Sequence, residues 1–306
     1  IMISESAMRS SGDTVTPLCL GSVTILINIA LNFLLIKGGF GIPAMGVAGA
    51  ALATTISRLL QVVFMFGFLY RREHWLISAD ILAKSDRLWS SYKHIAIPTT
   101  CSALVWAAGM LTYQMIFGHM GTTELAVFSM IGPFESLCYS LFFGISVACS
   151  VLLGQSLGRD EFAGALKMSK FFIKTVFISG LSIGLALLFG KEIVLSWLNL
   201  SGEELYPLAS PALTILCCAI WLRMLNMVII NGILRAGGDN HFCLRIDFLS
   251  AWMVGVPLTV FAAFILKWDF QYVYMLMLTE ELVKFSLCFH RYLKRYWMNN
   301  LTVAVT

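Results

Sequence analysis

Six ionisable side chains stand within long apolar stretches of the sequence. Removing a charge from water is costly, so each is by default a candidate for binding or proton exchange. Three are acidic and three are basic, which favours neutral pairing among them. The six residues are Arg58, Glu135, Arg223, Glu280, Glu281 and Lys284. We therefore expect most of them to form structural charge pairs, which leaves few groups available for chemistry.

Glu135 is the strongest candidate for chemistry among these six. A carboxylate in a partly dry cavity can exchange a proton for a cationic compound. Alternatively, Glu135 is a structural partner of Arg223 or Arg58. Glu280 and Lys284 have the i, i+4 spacing that brings a Glu and a Lys together on one helix face. We predict that these two residues form a structural pair.

Two amides suggest a second site. Asn28 and Asn32 also have i, i+4 spacing and project from one helix face. Their oxygens could bind a cation or a substrate. Alternatively, the two side chains form interhelical hydrogen bonds, which amides commonly do in membranes.

Aromatic and methionine side chains could line an apolar substrate cavity, since methionine adapts to varied ligands. Core or lipid packing is the more common role for such side chains. The candidates are Trp106, Met110, Tyr113, Met130, Phe134 and Tyr139.

The sequence contains no motif that predicts a metal site, a cofactor site or an enzyme active site. None of the 8 cysteines forms a C-x-x-C pair, and the 5 histidines form no H-E-x-x-H motif. Two G-x-S-x-G patterns, at 154–158 and 180–184, occur in predicted helices rather than after a strand, where a hydrolase would need them. The sequence also lacks a phosphate-binding loop. We predict no enzyme activity and no cofactor, so any driving force comes from an ion gradient.

Composition places these residues in a membrane protein. Of 306 residues, 58% are hydrophobic and only 12% are charged, whereas soluble domains carry about 25% charged residues. The net charge of +4 also argues against a broad nucleic-acid-binding surface. A membrane helix needs about 20 apolar residues, and the runs are apolar on all sides, unlike barrel strands. We predict an all-α protein with eight transmembrane helices near 16–36, 45–70, 96–118, 125–153, 172–198, 206–234, 243–266 and 270–292.

Basic residues indicate the orientation of these helices. One set of alternate loops contains most lysines and arginines, while the other set contains only Lys37, Lys191 and Lys267. The positive-inside rule therefore predicts that both ends of the chain are cytoplasmic.

A short repeat indicates how the helices are organised. Arg9-Ser-Ser-Gly-Asp13 and Arg235-Ala-Gly-Gly-Asp239 each precede two predicted spans, and internal repeats are typical of secondary transporters. We predict the last two helices of an N-terminal lobe at 1–70, a cytoplasmic linker with an interfacial helix at 71–93, a complete six-helix C-terminal lobe at 94–298 and a cytoplasmic tail at 299–306. A twelve-helix protein built this way would have four more helices before Ile1.

Several segments together resemble the multidrug and toxic compound extrusion (MATE) family of the larger flippase superfamily. They follow one another in the family's order over nearly the whole chain. The segments are Arg9-Ser-Ser-Gly-Asp-Thr-Val-Thr-Pro17, Asn28-Ile-Ala-Leu-Asn32, Gly46-Val-Ala-Gly-Ala-Ala-Leu-Ala-Thr54, Ala148-Cys-Ser-Val-Leu-Leu-Gly154, Gly232-Ile-Leu-Arg-Ala-Gly-Gly-Asp239 and Glu280-Glu281-Leu-Val-Lys284. The resemblance implies ion-coupled efflux of small, often cationic amphipathic compounds by alternating access.

The resemblance also bears on the candidate residues. Asn28 and Thr54 match a cation site in the family's N-terminal lobe, but Asn32 stands where an aspartate is common. A second family site uses a glutamate and an aspartate where this chain has Trp106 and Met224. The coupling ion, H⁺ or Na⁺, therefore stays open.

Two alternative functions remain open. A flippase for lipid-linked compounds or polysaccharides, from the same superfamily, would need a cavity lined by cations for phosphate. A non-transporting membrane fragment or scaffold would need none of the candidate sites. For the leading hypothesis we expect drug-like substrates, a lipid bilayer around the protein, no nucleic-acid partner, a monomer and an inner-membrane location.

Overall fold

A computed structural model describes residues 1–39, 43–72, 86–198, 200, 202 and 205–301. Within these ranges the chain forms helices joined by turns. Its internal contacts divide it into two compact units, Ile1–Asp86 and Arg87–Thr306. The predicted assignment of lobes, linker and tail to these parts of the chain stays a prediction.

Among the described residues of the N-terminal unit there are three helices: α1 (Met2–Ser10), α2 (Val15–Lys37) and α3 (Gly46–Arg71). Helices α2 and α3 pack closely at Gly49, where an added Cβ would lie 2.4 Å from the Leu35 carbonyl oxygen. Small residues allow such close backbone contact between membrane helices. Met8 of α1 packs with Met65 and Leu69 of α3 in a small buried cluster.

In the part of the C-terminal unit that the structure describes, the chain forms nine further helices, three of which continue into wider π-helical turns. They are α4 (Asp86–Met120), α5 (Thr122–Gly158), α6 (Phe162–Phe189), α7 (Lys191–Trp197), α8 (Tyr206–Met227, continued by Val228–Leu234), α9 (Asn240–Phe248, continued by Leu249–Gly255), α10 (Val256–Val260, continued by Phe261–Ile265), α11 (Phe270–Met277) and α12 (Thr279–Leu293).

Seven helical segments in the described residues are long and apolar enough to cross a membrane. They are Val15–Lys37, Gly46–Arg71, Tyr92–Met120, Thr122–Gly158, Phe162–Phe189, Tyr206–Leu234 and Asn240–Ile265. The eighth predicted span, 270–292, is instead two shorter helices, α11 and α12, which meet at Leu278. The predicted count of eight continuous spans is therefore not confirmed in the described residues, since α11 and α12 contain only 8 and 15 residues, fewer than the roughly 20 that a membrane helix needs.

The predicted boundary of one span was also wrong. Helix α6 begins at Phe162 rather than near residue 172, and it ends at Phe189 rather than continuing to residue 198. Lys167 and Lys170, which precede the predicted start of this span, therefore lie inside α6, as does Lys174. Most of the predicted linker with its interfacial helix, residues 73–85, lies outside the described residues, and Asp86 already belongs to α4.

Two buried clusters form the core of the C-terminal unit. One brings Phe117 and Phe128 together with Phe270 and Tyr274 of α11, with ring centroids 4.7–6.4 Å apart. The other is built on α5, α8 and α12. Such buried aromatic contacts stabilise the arrangement of helices beyond simple area burial.

The first repeated turn, Arg9–Asp13, ends α1 with a left-handed glycine. Gly12 has φ +97° and its N–H bonds the Arg9 carbonyl at 3.1 Å, while the Asp13 N–H bonds the Met8 carbonyl at 3.0 Å. This pattern satisfies the last carbonyls of a helix. Hydrogen bonds from Thr16 lower the pKa of Asp13 below its usual value, because they favour the charged carboxylate.

The second repeated turn, Arg235–Asp239, has the same backbone conformation. Gly238 has φ +82°, its N–H bonds the Arg235 carbonyl at 3.0 Å, and the Asp239 N–H bonds the Leu234 carbonyl at 3.1 Å. The Asp239 carboxylate then accepts two hydrogen bonds from Arg291, at 2.6 and 3.1 Å. The repeat seen in the sequence is thus also a repeat of backbone geometry.

We expect Gly237→Ala, in this second turn, to lower the free energy of unfolding by about 1–3 kcal/mol. An added Cβ would lie 1.7 Å from the carbonyl oxygen of the buried Trp297, so backbone would have to move. Thermal unfolding in detergent measures the change. Gly144→Ala is the matched control, because nothing lies within 4 Å of its added Cβ; equal stability of the two variants would contradict the prediction.

Candidate functional site

Five charged residues of the C-terminal unit form a continuous series of ion pairs, here called the charge chain. Arg223 of α8 pairs with Glu135 of α5 and, at 3.4 Å, with Glu281 of α12. Lys284 contacts Glu281 at 3.9 Å and Glu280 at 3.4 Å. The order along the series is therefore Glu135, Arg223, Glu281, Lys284 and Glu280.

Neutral hydrogen-bond donors hold both glutamates of α12. The Tyr113 hydroxyl of α4 donates to Glu280 Oε2 at 2.7 Å. Asn226, one turn after Arg223, donates from Nδ2 to the Glu281 carboxylate and to its backbone carbonyl, both at 2.8 Å. Since charged groups in an apolar bundle need several partners, these donors stabilise the carboxylates.

The charge chain contains one more acid than base. Glu135, Glu280 and Glu281 carry three negative charges when ionised, against two positive charges on Arg223 and Lys284. The described series therefore has a net charge of −1 when every member is ionised. An uncompensated negative charge away from water favours uptake of a proton or another cation.

Gly255 makes room for one end of the charge chain. A Cβ at this position would lie 2.2 Å from the Tyr113 hydroxyl and 2.7 Å from Glu280 Oε2. The wide turn Leu249–Gly255 ends at this residue, and such turns are frequent at functional sites. The hydrogen-bonded Tyr113–Glu280 pair thus packs directly against helix backbone.

Polar residues of the N-terminal unit form two short series of hydrogen bonds, here together called the amide network. Asn32 donates to Asn28 Oδ1 at 3.0 Å, and Asn28 donates to the Ser57 hydroxyl at 3.0 Å. Arg58 donates to Gln61 Oε1 at 2.9 Å, rather than pairing with an acid in the described contacts. Gln61 in turn donates to Glu5 at 3.1 Å.

A cleft of about 370 Å³ lies beside this network. Its walls include Glu5, Asn28, Thr54 and Arg58. The Thr54 hydroxyl donates to the Ala50 carbonyl at 3.0 Å, which leaves its oxygen able to accept or to coordinate. The structure thus places Asn28 and Thr54 at the wall of one cleft, and it brings Asn32 into direct contact with Asn28.

We expect Asn32→Ala to have a modest effect. The change removes the 3.0 Å hydrogen bond to Asn28, and hydrogen bonds inside membrane proteins contribute about 0.6 kcal/mol on average. We expect a small decrease in the free energy of unfolding, measured by thermal unfolding in detergent. Thr55→Ala is the control, because it loses only a hydrogen bond within its own helix. A loss of stability as large as that caused by breaking a buried ion pair would contradict the interpretation that Asn32 contributes only one hydrogen bond, to Asn28.

The six aromatic and methionine candidates do not share one environment. Tyr113 and Phe134 are buried in the core cluster around Phe117. Trp106, Met130 and Tyr139 are exposed on the protein. Met110 packs partly buried against the same core.

Four residues of these networks were not singled out from the sequence, namely Asn226, Ser57, Gln61 and Glu5. Asn226 is polar, lies in an apolar span and follows Arg223 at the i, i+3 spacing, so the pattern could have revealed it. Gln61 also interrupts an apolar span. Glu5 precedes the first predicted span, and no pattern in the sequence points to its contact with Gln61.

A comparison with protein-family models establishes the family. The model named MatE matches residues 98–261, more than half of the chain. The chain belongs to the MatE family. Its charge chain and its amide network are therefore features of a MatE protein, and the chain is a multi-pass membrane protein.

Curated MatE relatives match nearly all of this chain. The probable multidrug resistance protein NorM of Thermotoga maritima is 28% identical over 277 residues, which cover 89% of the chain and 57% of that protein. The uncharacterized transporter YisQ of Bacillus subtilis is 25% identical over 303 residues, covering 97% of the chain and 65% of that protein. The chain thus spans less than two thirds of the length of these relatives.

Solved structures show the same fold. A MOP superfamily transporter from Pyrococcus furiosus superimposes with a TM-score of 0.86 at 17% identity, covering 96% of this chain and 65% of that one. The Vibrio cholerae MATE transporter VcmN in its bent form superimposes with a TM-score of 0.81 at 19% identity, covering 96% of this chain and 65% of that one. The helical arrangement of this MatE chain is therefore that of MATE transporters.

Proposed function

We propose that the protein carries out secondary active efflux of small amphipathic or cationic compounds, in exchange for H⁺ or Na⁺, by alternating access between two lobes. The observation that carries this proposal is the charge chain, which contains one carboxylate more than its cations can neutralise. The chain that contains it belongs to the MatE family. A carrier that exchanges cations needs a buried negative charge that either cation can neutralise.

Glu135 is the member of the charge chain best placed to meet a substrate. Its side chain is 18% exposed, against 9–12% for the other four members. Among the described residues, Arg223 is the ion-pair partner of its carboxylate. We propose Glu135 as the residue that binds the cationic group, and the cleft beside Asn28, Asn32 and Thr54 as a second polar region of the transport path.

The flippase alternative is less well supported. Recognition of a phosphate requires cations that are free to bind it. Arg223 and Lys284, the two cations of the charge chain, are each already shared between two carboxylates.

We propose an arrangement of helices in two lobes, based on the repeated turns Arg9–Asp13 and Arg235–Asp239. Helices α2 and α3 end an N-terminal lobe, while α4, α5, α6, α8, the α9–α10 helix and the α11–α12 pair form a six-helix C-terminal lobe. Positive-inside loops support cytoplasmic ends for this chain. We propose a monomer in the inner membrane, with lipid around it and no cofactor besides the coupling ion.

Transport in proteoliposomes tests the proposed function. The complete protein is reconstituted with ethidium outside, and an H⁺ gradient and an Na⁺ gradient are imposed in separate experiments. We expect one of the two gradients to drive ethidium movement against its concentration gradient, and collapse of that gradient with an ionophore to stop it. Ethidium movement that is indifferent to both gradients would refute ion-coupled efflux.

A further inference from the structure

We propose that Arg58, in the N-terminal unit, binds the carboxylate of a transported amphipathic compound. This inference rests on the proposed function and deepens it, because it adds compounds with an anionic group to the substrate class. The charge chain has a surplus negative charge, which favours cationic groups alone. A compound that also carries a carboxylate needs a site of the opposite charge, and Arg58 supplies one.

Arg58 lies near the middle of α3, a helix that is apolar and long enough to cross a membrane. It is 12 residues from Gly46 and 13 residues from Arg71, which are the two ends of the helix. With a rise of about 1.5 Å per residue, each end is about 18–20 Å away. Lipid headgroups at the membrane surface are therefore too distant to neutralise the guanidinium. A charge at this depth needs a partner within the protein or on a ligand.

The described contacts give Arg58 a neutral partner. Its Nη1 donates to Gln61 Oε1 at 2.9 Å. None of the ion pairs among the described residues includes Arg58. A guanidinium has five N–H donors and stays charged at any physiological pH. Arg58 therefore keeps both a full positive charge and further donors for an anion.

The hydrogen bonds around Gln61 leave a surplus positive charge beside the cleft. Gln61 is 3% exposed, and it accepts from Arg58 while it donates to Glu5 Oε1. The other carboxylate oxygen of Glu5 accepts a hydrogen bond from Arg9 at 3.2 Å. This series thus contains two arginines and one acid, and both oxygens of the acid have partners. Its net charge of +1 matches a monovalent carboxylate better than a phosphate group with two negative charges.

Arg58 stands where a polar cleft meets a more apolar one. Together with Thr54, it lines the cleft of about 370 Å³ described above and a second cleft of about 580 Å³. The walls of the second cleft include the apolar side chains of Ala51, Leu59 and Val62. Both volumes are in the range of small-molecule pockets, about 300–1,000 Å³. An amphipathic compound can thus place its apolar body beside these side chains and its carboxylate against Arg58.

The guanidinium is also the group of this wall that is suited to an anion. A planar guanidinium can form two parallel N–H···O bonds with a carboxylate. The hydroxyls of Thr54 and Ser57 donate to carbonyls of their own helix, both at 3.0 Å. They therefore present lone pairs to a ligand, and lone pairs repel a carboxylate. Loss of Arg58 should consequently affect anionic compounds and leave purely cationic ones bound.

Binding of two dyes that differ at one group tests the proposal. Rhodamine 110 carries a free carboxylate, and rhodamine 123 is its cationic methyl ester. Each dye is titrated with the purified complete protein in detergent at neutral pH, and fluorescence polarisation reports binding. We expect the parent to bind both dyes and Arg58→Gln to bind rhodamine 110 roughly tenfold to a hundredfold more weakly. Binding of rhodamine 123 by this variant should stay close to that of the parent, which also shows that the variant is folded.

Two further variants separate the charge of Arg58 from its role in packing. Gln61→Glu keeps Arg58 and places a neutralising carboxylate beside it, so it should weaken rhodamine 110 as Arg58→Gln does. Arg58→Lys keeps the positive charge and should bind rhodamine 110 more tightly than Arg58→Gln does. Arg71→Gln is the matched control, because it removes an exposed arginine at the end of the same helix. It should bind both dyes as the parent does.

Equal weakening of both dyes in Arg58→Gln would show that Arg58 only supports the fold, and it would overturn the proposal. The proposal would also be overturned by rhodamine 110 binding that is unchanged in this variant or absent in the parent. Dye binding is measured without an ion gradient, so a negative result leaves the ethidium transport assay unaffected. Conversely, ethidium movement that ignores both gradients would refute the proposed function without altering the binding result.

Discussion

Lys284→Met should lower the free energy of unfolding by about 3–5 kcal/mol, because it leaves buried carboxylates without a cation. Lys284 is 7% exposed and contacts both Glu280 and Glu281. Adding Glu280→Gln removes one of the uncompensated acids and restores the parent's net charge. We therefore expect the double variant to be more stable than Lys284→Met alone. Thermal or denaturant unfolding in detergent, measured for both single variants and the double variant, gives the coupling energy.

Lys170→Met is the control for the general effect of replacing a lysine with methionine, because Lys170 is exposed on α6. Its unfolding should be close to that of the parent. Strict additivity of Lys284→Met and Glu280→Gln would show that the two residues do not stabilise one another, and the structural pair would then be wrong.

Glu135→Gln should reduce gradient-driven transport of a cationic compound by roughly tenfold to a hundredfold. Interactions with a charged group contribute about 1.5–3 kcal/mol, and each 1.4 kcal/mol corresponds to about a tenfold change in binding. The glutamine keeps the size of the side chain but loses the charge that Arg223 and a substrate would share. Transport is measured in proteoliposomes under the gradient that drives the parent.

Glu124→Gln provides the control on the same helix, since Glu124 lies in the first turn of α5 and outside the charge chain. It should transport at the rate of the parent. If Glu135→Gln also transports at that rate, then Glu135 is only a structural partner of Arg223, which is the alternative that the sequence left open.

The continuous apolar helices could be predicted from the sequence because a membrane imposes one simple rule, a long run without charges. Helices α2 and α3 begin and end within one residue of the predicted spans. Helix α6 was misjudged because lysines can lie within a membrane helix near its end, where their long side chains reach polar surroundings. The interruption of the last span at Leu278 lies just before the charged residues Glu280, Glu281 and Lys284, but the sequence pattern did not show that the helix breaks there.

The partners of the charged residues could be predicted only where they are local in sequence. The contact between Glu280 and Lys284 follows from helix periodicity. The contact between Arg223 and Glu135 was one of two possibilities, because Arg58 was an equally plausible partner until the fold placed it beside Gln61. The contact of Tyr113 with Glu280 joins residues 167 positions apart, and only tertiary structure brings such residues together.

Binding of tetraphenylphosphonium, an amphipathic monovalent cation, tests the central claim most directly. The complete protein is titrated with this cation in detergent solution, and calorimetry reports the bound ligand. The account predicts that Glu135→Gln binds the cation roughly tenfold to a hundredfold more weakly than the parent, because the variant lacks the negative charge that the cation neutralises. Equal binding by the parent and by Glu135→Gln would contradict it.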